Sequence, residues 1–415
     1  MKKTLGFSLA LVVCACGGSS SNPNQSINPT CPPGTGTTLN TSCDPGFTQT
    51  APNKPGSIYV TFSGESLGVN GLPFPGNGTD PAFVDGWSVS FDELLVIVGN
   101  FRLSPGATQS ADQSVVSSPV AAKAGPYVLD THKPNGFVGR DGVEPAGGIF
   151  KWDTDDSGRA FDTNTRYAFS YDVVKAVYPA TQVNLTQAQF ADYALMVQKG
   201  WSKLYRGTAT YFGTGTYTPD PAVQAKFAAM PTTVYFMMGW NDAGGHINCI
   251  NPDFGNGEDL ANRGVQPSTN GAVIAQVTQH VDHFFWDKLR DHNDIKLRFD
   301  PVAAWAPANT TAGSPFDLRT LGTRPLAATF SDNTPLPDRG PFETAGYTCG
   351  GERPCAQVTM NLNGVPSAPN VPGLANFMAF SAQSQMHLNA DGLCYDVGQH
   401  STDPGGFFVP GITGP

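Results

Sequence analysis

The chain has 415 residues, with 24 lysines and arginines against 34 aspartates and glutamates, for a formal charge of −10. That acidic balance, with no basic cluster to offset it, argues against nucleic acid and against electrostatic docking on anionic lipid. Only 14% of residues are charged, and 47 glycines and 35 prolines accompany 26 phenylalanines, which suits a loop-rich β protein better than a helical one.

The chain opens with Lys2 and Lys3, then runs apolar through Leu5, Phe7, Leu9, Leu11, Val12 and Val13. A basic start followed by so short an apolar stretch reads as an export signal, too brief for a permanent membrane helix. Val13-Cys14-Ala15-Cys16-Gly17 then resembles the bacterial lipobox, in which a small residue precedes the lipidated cysteine. Ala15 is smaller than Val13, so Cys16 is the expected lipidation site and residues 1–15 the signal peptide. Gly17 in place of aspartate favours the outer membrane, with the lipid as the membrane contact. Residues 16–55 are rich in Ser, Asn, Thr, Pro and Gly and read as a disordered tether. A β-sandwich body is expected over 56–415.

After the signal and Cys16, six cysteines remain: Cys31, Cys43, Cys249, Cys349, Cys355 and Cys394. An oxidising envelope makes disulfides the default, and six cysteines allow 15 pairings. Local spacing suggests Cys31–Cys43 and Cys349–Cys355, leaving Cys249–Cys394 as a long-range staple. No paired CxxC zinc spacing and no CxxCH haem motif is present.

Strands are expected at Ser57–Phe62, Trp87–Phe91, Leu94–Val98, Phe101–Leu103, Tyr127–Asp130, Arg166–Val173, Ser202–Tyr211, Thr232–Gly239 and Ala272–His280, from apolar alternation and β-branched or aromatic content. Thr186-Gln187-Ala188-Gln189 is a capping box ahead of Phe190, Tyr193, Ala194 and Val197 at helical spacing, and Gly200 is a good stop. A second short helix is expected from Asp282 to Leu289. Strands without regular helical alternation point to a mainly β fold: a decorated antiparallel β-sandwich with long loops and one or two short helices.

His280-Val281-Asp282-His283 would place one imidazole at a strand end and another in the following turn, with Asp282 capping or orienting a ring. His387 is the best third ligand and His246 the alternative, since a Cys249–Cys394 bridge would bring them near each other. Imidazole suits copper and zinc, and Met386 or Met237 would add a softer ligand for Cu(I). Asp153, Asp155, Ser157 and Gly158 resemble the opening of a calcium loop, with Asn164 where a bidentate glutamate belongs and Asp162 nearby as a substitute. Gly64-Glu65-Ser66-Leu67-Gly68 matches a hydrolase nucleophile pattern. The Gly/Pro-rich run after it is expected to break the helix that such chemistry needs, so a catalytic role is disfavoured. His132 and His400 are expected at the surface, and His292 at the end of the second helix. Trp87, Trp152, Trp201, Trp240, Trp286 and Trp305 are candidate sugar-stacking platforms, though tryptophan is more often core.

Phe83-Val84-Asp85-Gly86-Trp87-Ser88-Val89, Thr165-Arg166-Tyr167-Ala168-Phe169, His283-Phe284-Phe285-Trp286-Asp287 and His387-Leu388-Asn389-Ala390-Asp391-Gly392-Leu393-Cys394 resemble segments of uncharacterised lipoproteins of myxobacterial-type predatory soil bacteria. The order of the strand Phe91–Leu103, Asp112-Gln113, Tyr127–Asp130 and the later strands is similar to the methanobactin-associated copper-binding proteins. That second resemblance implies a β-sandwich envelope protein that holds copper with histidines and a modified tryptophan, here His280, His283 and Trp286. The expected function is therefore non-catalytic binding of copper or zinc, with calcium as a further candidate. Recognition of a carbohydrate or partner protein is the alternative.

Overall fold

A computed structural model describes residues 54–78, 80–133, 137–138, 145–213, 221–241, 243–255, 259–287, 295–324, 329–334, 336 and 374–397. The export signal, Cys16, the tether, Cys31, Cys43, Cys349, Cys355, His292 and His400 lie outside the described residues. In chain order the strands are β1 (Ile58–Ser63), β2 (Trp87–Pro105), β3 (Ala121–Lys123), β4 (Tyr127–Asp130), β5 (Phe137–Val138), β6 (Pro145–Trp152), β7 (Tyr167–Val173), β8 (Thr181–Gln182), β9 (Lys203–Tyr211), β10 (Thr233–Trp240), β11 (Gly244–Ile247), β12 (Val273–Gln279), β13 (Phe316–Asp317), β14 (Met386–Leu388) and β15 (Tyr395–Val397). The α-helices are α1 (Glu65–Asn70), α2 (Phe190–Lys199), α3 (Pro221–Ala229), α4 (Asp300–Ala303) and α5 (Leu374–Ser381).

The protein is mainly β, a decorated sandwich of two sheets. The smaller runs β14-β12-β1-β6-β5, and the larger β13-β10-β9-β2-β7-β11-β15, with β3 and β4 also on β2 and β8 on β4. Most pairings are antiparallel, but β1–β12, β10–β13 and β4–β8 are parallel. Alternation along a strand shows which face is buried, not which way its neighbour runs, so these orientations are invisible in the sequence. The sheets meet through Val60, Phe62, Phe150, Ala275 and Val277 on one side and Val96, Phe101, Phe169 and Tyr171 on the other. Phe101 and Phe150 meet edge to face, 5.0 Å between centroids.

Three expected strands, Trp87–Phe91, Leu94–Val98 and Phe101–Leu103, form one 19-residue strand, β2. Its inward residues are Trp87, Val89 and Phe91, then Leu94, Val96 and Val98, then Phe101 and Leu103. Each change of set needs a three-residue step, which would turn a regular strand inside out. The register shifts at Phe91/Glu93 and Gly99/Arg102 absorb those steps as bulges, with Asn100 at φ 49°.

The outward residues Leu95, Ile97, Val128 and Leu204 are covered by Phe190, Tyr193 and Met196 of α2. This helix forms as the sequence predicts, with the Thr186/Gln189 capping box at its entry and Gly200 in the left-handed conformation at its end. The second expected helix is instead a 3-10 turn over Val281–Phe285. All five of its residues are buried, and Phe284 and Phe285 pack with Tyr205 and Phe299, so tertiary packing on every side replaces the one-faced burial of an amphipathic helix. Helix α1 is a second departure, since six helical residues fit between Gly64 and Gly71 despite the Gly/Pro-rich run beyond.

Near β2, the buried Asp85 carboxylate accepts from the backbone N–H groups of Phe299 (2.7 Å) and Asp300 (2.8 Å), and Asp300 accepts from Trp87 Nε1 at 2.7 Å. Burial, followed by the neighbouring Asp300 charge, pushes the Asp85 pKa up to about 8. At neutral pH the native state therefore keeps a proton that the unfolded chain has lost, and this contribution to stability falls as pH rises from near 4 to near 8. Asp85→Asn mimics the protonated acid. Its melting temperature relative to wild type is expected to climb between pH 5 and pH 8, and a constant difference across that range would refute the trapped proton.

Candidate metal centre

The site lies where β12 runs into the 3-10 turn and β14 runs alongside. His280 is the residue between them, with its backbone N–H donating to Gln385 O at 2.9 Å. His387 sits on β14 opposite Thr278 of β12. A buried polar chain joins the two segments beneath the imidazoles. Thr131 Oγ1 donates to Gln279 Oε1 at 2.5 Å, the Gln279 amide donates to the Tyr205 hydroxyl, and that hydroxyl donates to Gln385 Oε1 at 2.8 Å. Buried polar groups linked in this way fix relative position more tightly than apolar contact does.

The structure brings His280, His283 and His387 together, with ring centroids 4.3 Å apart for His280–His387, 5.5 Å for His280–His283 and 5.8 Å for His283–His387. The three do not form one convergent ligand set. Instead, His280, Asp282 and His283 form one group able to hold an ion, and His280, His387 and Asp391 form another. Trp286 stacks on His283 at 3.7 Å and donates from its Nε1 to Asp282 Oδ2 at 3.0 Å.

Surrounding acceptors set the tautomers. A carbonyl oxygen only accepts, so Ser384 O at 2.7 Å puts the proton of a neutral His387 on Nε2 and its lone pair on Nδ1. The Ser384 hydroxyl donates to Ser381 O at 3.0 Å, so at 3.0 Å it accepts from His283 Nδ1–H and leaves the His283 lone pair on Nε2. One residue thus orients two imidazoles, the arrangement metal-binding histidines use to fix their rings. Ser384→Ala is expected to weaken metal binding by roughly 10- to 100-fold in a chelator competition, with Ser384→Thr restoring most of it. Unchanged affinity in the alanine variant would remove this role.

His280 lies between oxygen atoms. Its Nδ1 faces Glu65 Oε2 at 3.6 Å, and its Nε2 faces Ala390 O at 3.1 Å and Asp391 Oδ1 at 3.9 Å. Burial pushes its pKa down, but Glu65, Asp282, the Ala390 carbonyl and Asp391 outweigh that and hold it above the usual histidine range. Burial also raises the Asp282 pKa, against the opposing pull of His280. Among the described residues, six non-glycine residues have positive φ, and four of them are asparagines, which tolerate it. The other two are Glu65 (φ 55°) and Ala390 (φ 67°), and they meet His280 on its two different nitrogens. Backbone strain of this kind persists where surrounding structure over-determines it, and it gathers at functional sites.

Other expected ligands are elsewhere. His246 is buried on β11, stacked on Tyr171 at 5.0 Å, and Tyr171 in turn donates to His387 O, so His246 stands behind the site rather than in it. Strand alternation that points His387 into the cluster sends Met386 to the opposite face, into the inter-sheet core, and Met237 packs under α2. Of the calcium candidates only Asp155 and Ser157 are hydrogen-bonded to each other, and no group of three ligands forms there among the described residues. Asp153 is engaged by Ser57, Lys54 and Lys151, which overcome the upward push of burial and hold its pKa at about 2. Asp155 accepts from Ser157 and Arg159, and Asp162 from Asn164 and Thr165. Trp87, Trp152, Trp201 and Trp240 are buried, and Trp286 and Trp305 are half-buried against the core, so none is an open sugar platform. Ser66 is exposed, and the strained position of its motif is Glu65. His132 is half-buried, with its Nδ1 against Gly68 O.

Sequence reading missed Glu65, Ser384 and Asp391. Glu65 lies inside a motif read for serine chemistry, and its positive φ shows only in the structure. The expected Cys249–Cys394 disulfide is present and ties the end of β11 to the segment that follows His387 and Asp391. No protein-family model, curated protein or solved structure matches this chain.

Proposed function

We propose that this chain is a lipid-anchored envelope protein that binds copper, without catalysis, at the His280/His283/His387 cluster. The observation that carries the reading is three imidazoles gathered with two carboxylates, two of their tautomers being fixed by one outer residue. Imidazole and carboxylate without thiolate suit Cu(II) or Zn(II), and the order of divalent affinities puts Cu(II) first. With both methionines in apolar clusters, the ligands favour Cu(II) over Cu(I). The lipobox-like sequence ending at Cys16 supports export and anchoring, outside the described residues. No described helix is long and apolar enough to cross a membrane.

The test is metal analysis and Cu(II)/Zn(II) competition on the full chain, purified without a histidine tag. At least one tightly held equivalent of copper, preferred over zinc, is expected. A protein that retains neither metal overturns the reading. Mass spectrometry of the native-host product tests the anchor, and an unacylated soluble form as the sole species overturns that part.

A further inference from the structure

The two ligand groups share a single residue, His280. An imidazole has two in-plane nitrogens pointing in widely different directions, and a mononuclear site uses one as ligand while the other donates to an outer acceptor. Here both sides of the ring are furnished with anionic oxygen. Nδ1 faces Glu65 at 3.6 Å, whereas Nε2 faces Asp391 at 3.9 Å in addition to the Ala390 carbonyl. Each group also contains a second imidazole, His283 in one and His387 in the other. The two strained non-asparagine residues, Glu65 and Ala390, meet the ring from these opposed nitrogens.

We propose that the cluster holds two divalent cations bridged by the His280 ring, one with Asp282 and His283 and the other with His387 and Asp391. This rests on the metal-binding reading above and goes beyond its single equivalent. Binding of the second cation displaces the remaining ring proton of His280 to solvent, so the bridge is an imidazolate carrying one negative charge. With Glu65, Asp282 and Asp391 ionised, four negative charges meet the four positive charges of two divalent ions. A half-buried centre of this kind is otherwise costly to charge, and neutrality removes most of that cost. A single cation, with His280 still carrying its ring proton, would leave one of the three carboxylate charges uncompensated.

The experiment is a Cu(II) titration of the untagged, metal-stripped full chain, followed by equilibrium dialysis and electron paramagnetic resonance. Two equivalents are expected, and the second should diminish the spectrum of the first, because copper ions bridged by imidazolate couple magnetically. Asp391 is 87% exposed, so Asp391→Asn leaves the fold intact. That variant is expected to bind one equivalent and keep an uncoupled spectrum. Saturation of the wild type at one equivalent overturns the bridge and leaves the metal reading standing. Two equivalents with simply additive spectra also overturn it, and no binding at all removes both proposals.

Discussion

His280→Ala is expected to strip the protein of metal more completely than either His283→Ala or His387→Ala. His280 belongs to both ligand groups, and each of the others belongs to one. Loss of an outer partner costs a metal site roughly 10- to 100-fold in affinity, and loss of a shared inner ligand is expected to exceed that. The ring also stands between Glu65 on one nitrogen and Asp391 on the other. Chelator competition on the three single variants checks the ranking, and equal losses in all three would contradict the sharing of His280. Circular dichroism on each variant separates ligand loss from unfolding.

The second large effect concerns the disulfide. Cys249→Ala with Cys394→Ala is expected to lower unfolding stability by about 4 kcal/mol, because the bond closes a loop of 145 residues in the unfolded chain. Both sulfurs are buried, so the substitution also leaves an unfilled space in the inter-sheet core. The bond lies beyond a turn held by Asn389, whose side chain donates to Asn251 and Asp253 and whose backbone pairs with Gln276. Without the bond, the segment carrying His387 and Asp391 loses its covalent tie to β11 and is held by strand pairing and hydrogen bonds. Denaturant unfolding of oxidised wild type and of the double variant measures the stability difference, and a loss under roughly 1 kcal/mol would show that the non-covalent attachments of this segment suffice. Copper affinity is expected to fall together with stability.

The fold and site were legible in the sequence where the signal was local. The capping box at Thr186 and the stop at Gly200 defined α2, because each needs only a few neighbouring residues. His280 and His283 were visible through their spacing, and His387 with Cys394 through the proposed staple. The length of β2 was hidden because two bulges interrupt its alternation, and a broken period reads as separate strands. Glu65, Ser384 and Asp391 were hidden for a different reason. Their roles depend on strand neighbours far away in the chain: β1 beside β12, and β14 beside β12. Short polar residues in turns give no sign of which distant side chain they will meet. The single three-histidine site also dissolved in three dimensions, since strand and turn geometry pairs His280 separately with His283 and with His387.

The parallel pairing of β1 with β12, with β14 added on the far side of β12, has a consequence for the order of events in the cell. Glu65 is synthesised long before Asp391, so a growing polypeptide cannot assemble the proposed centre until Asp391 has emerged. An ion held at the proposed centre would therefore be acquired after long-range strand pairing, a slow kind of step. On the proposed reading, the ion would be drawn from whichever compartment that step occurs in, and the place of maturation would become part of the selectivity.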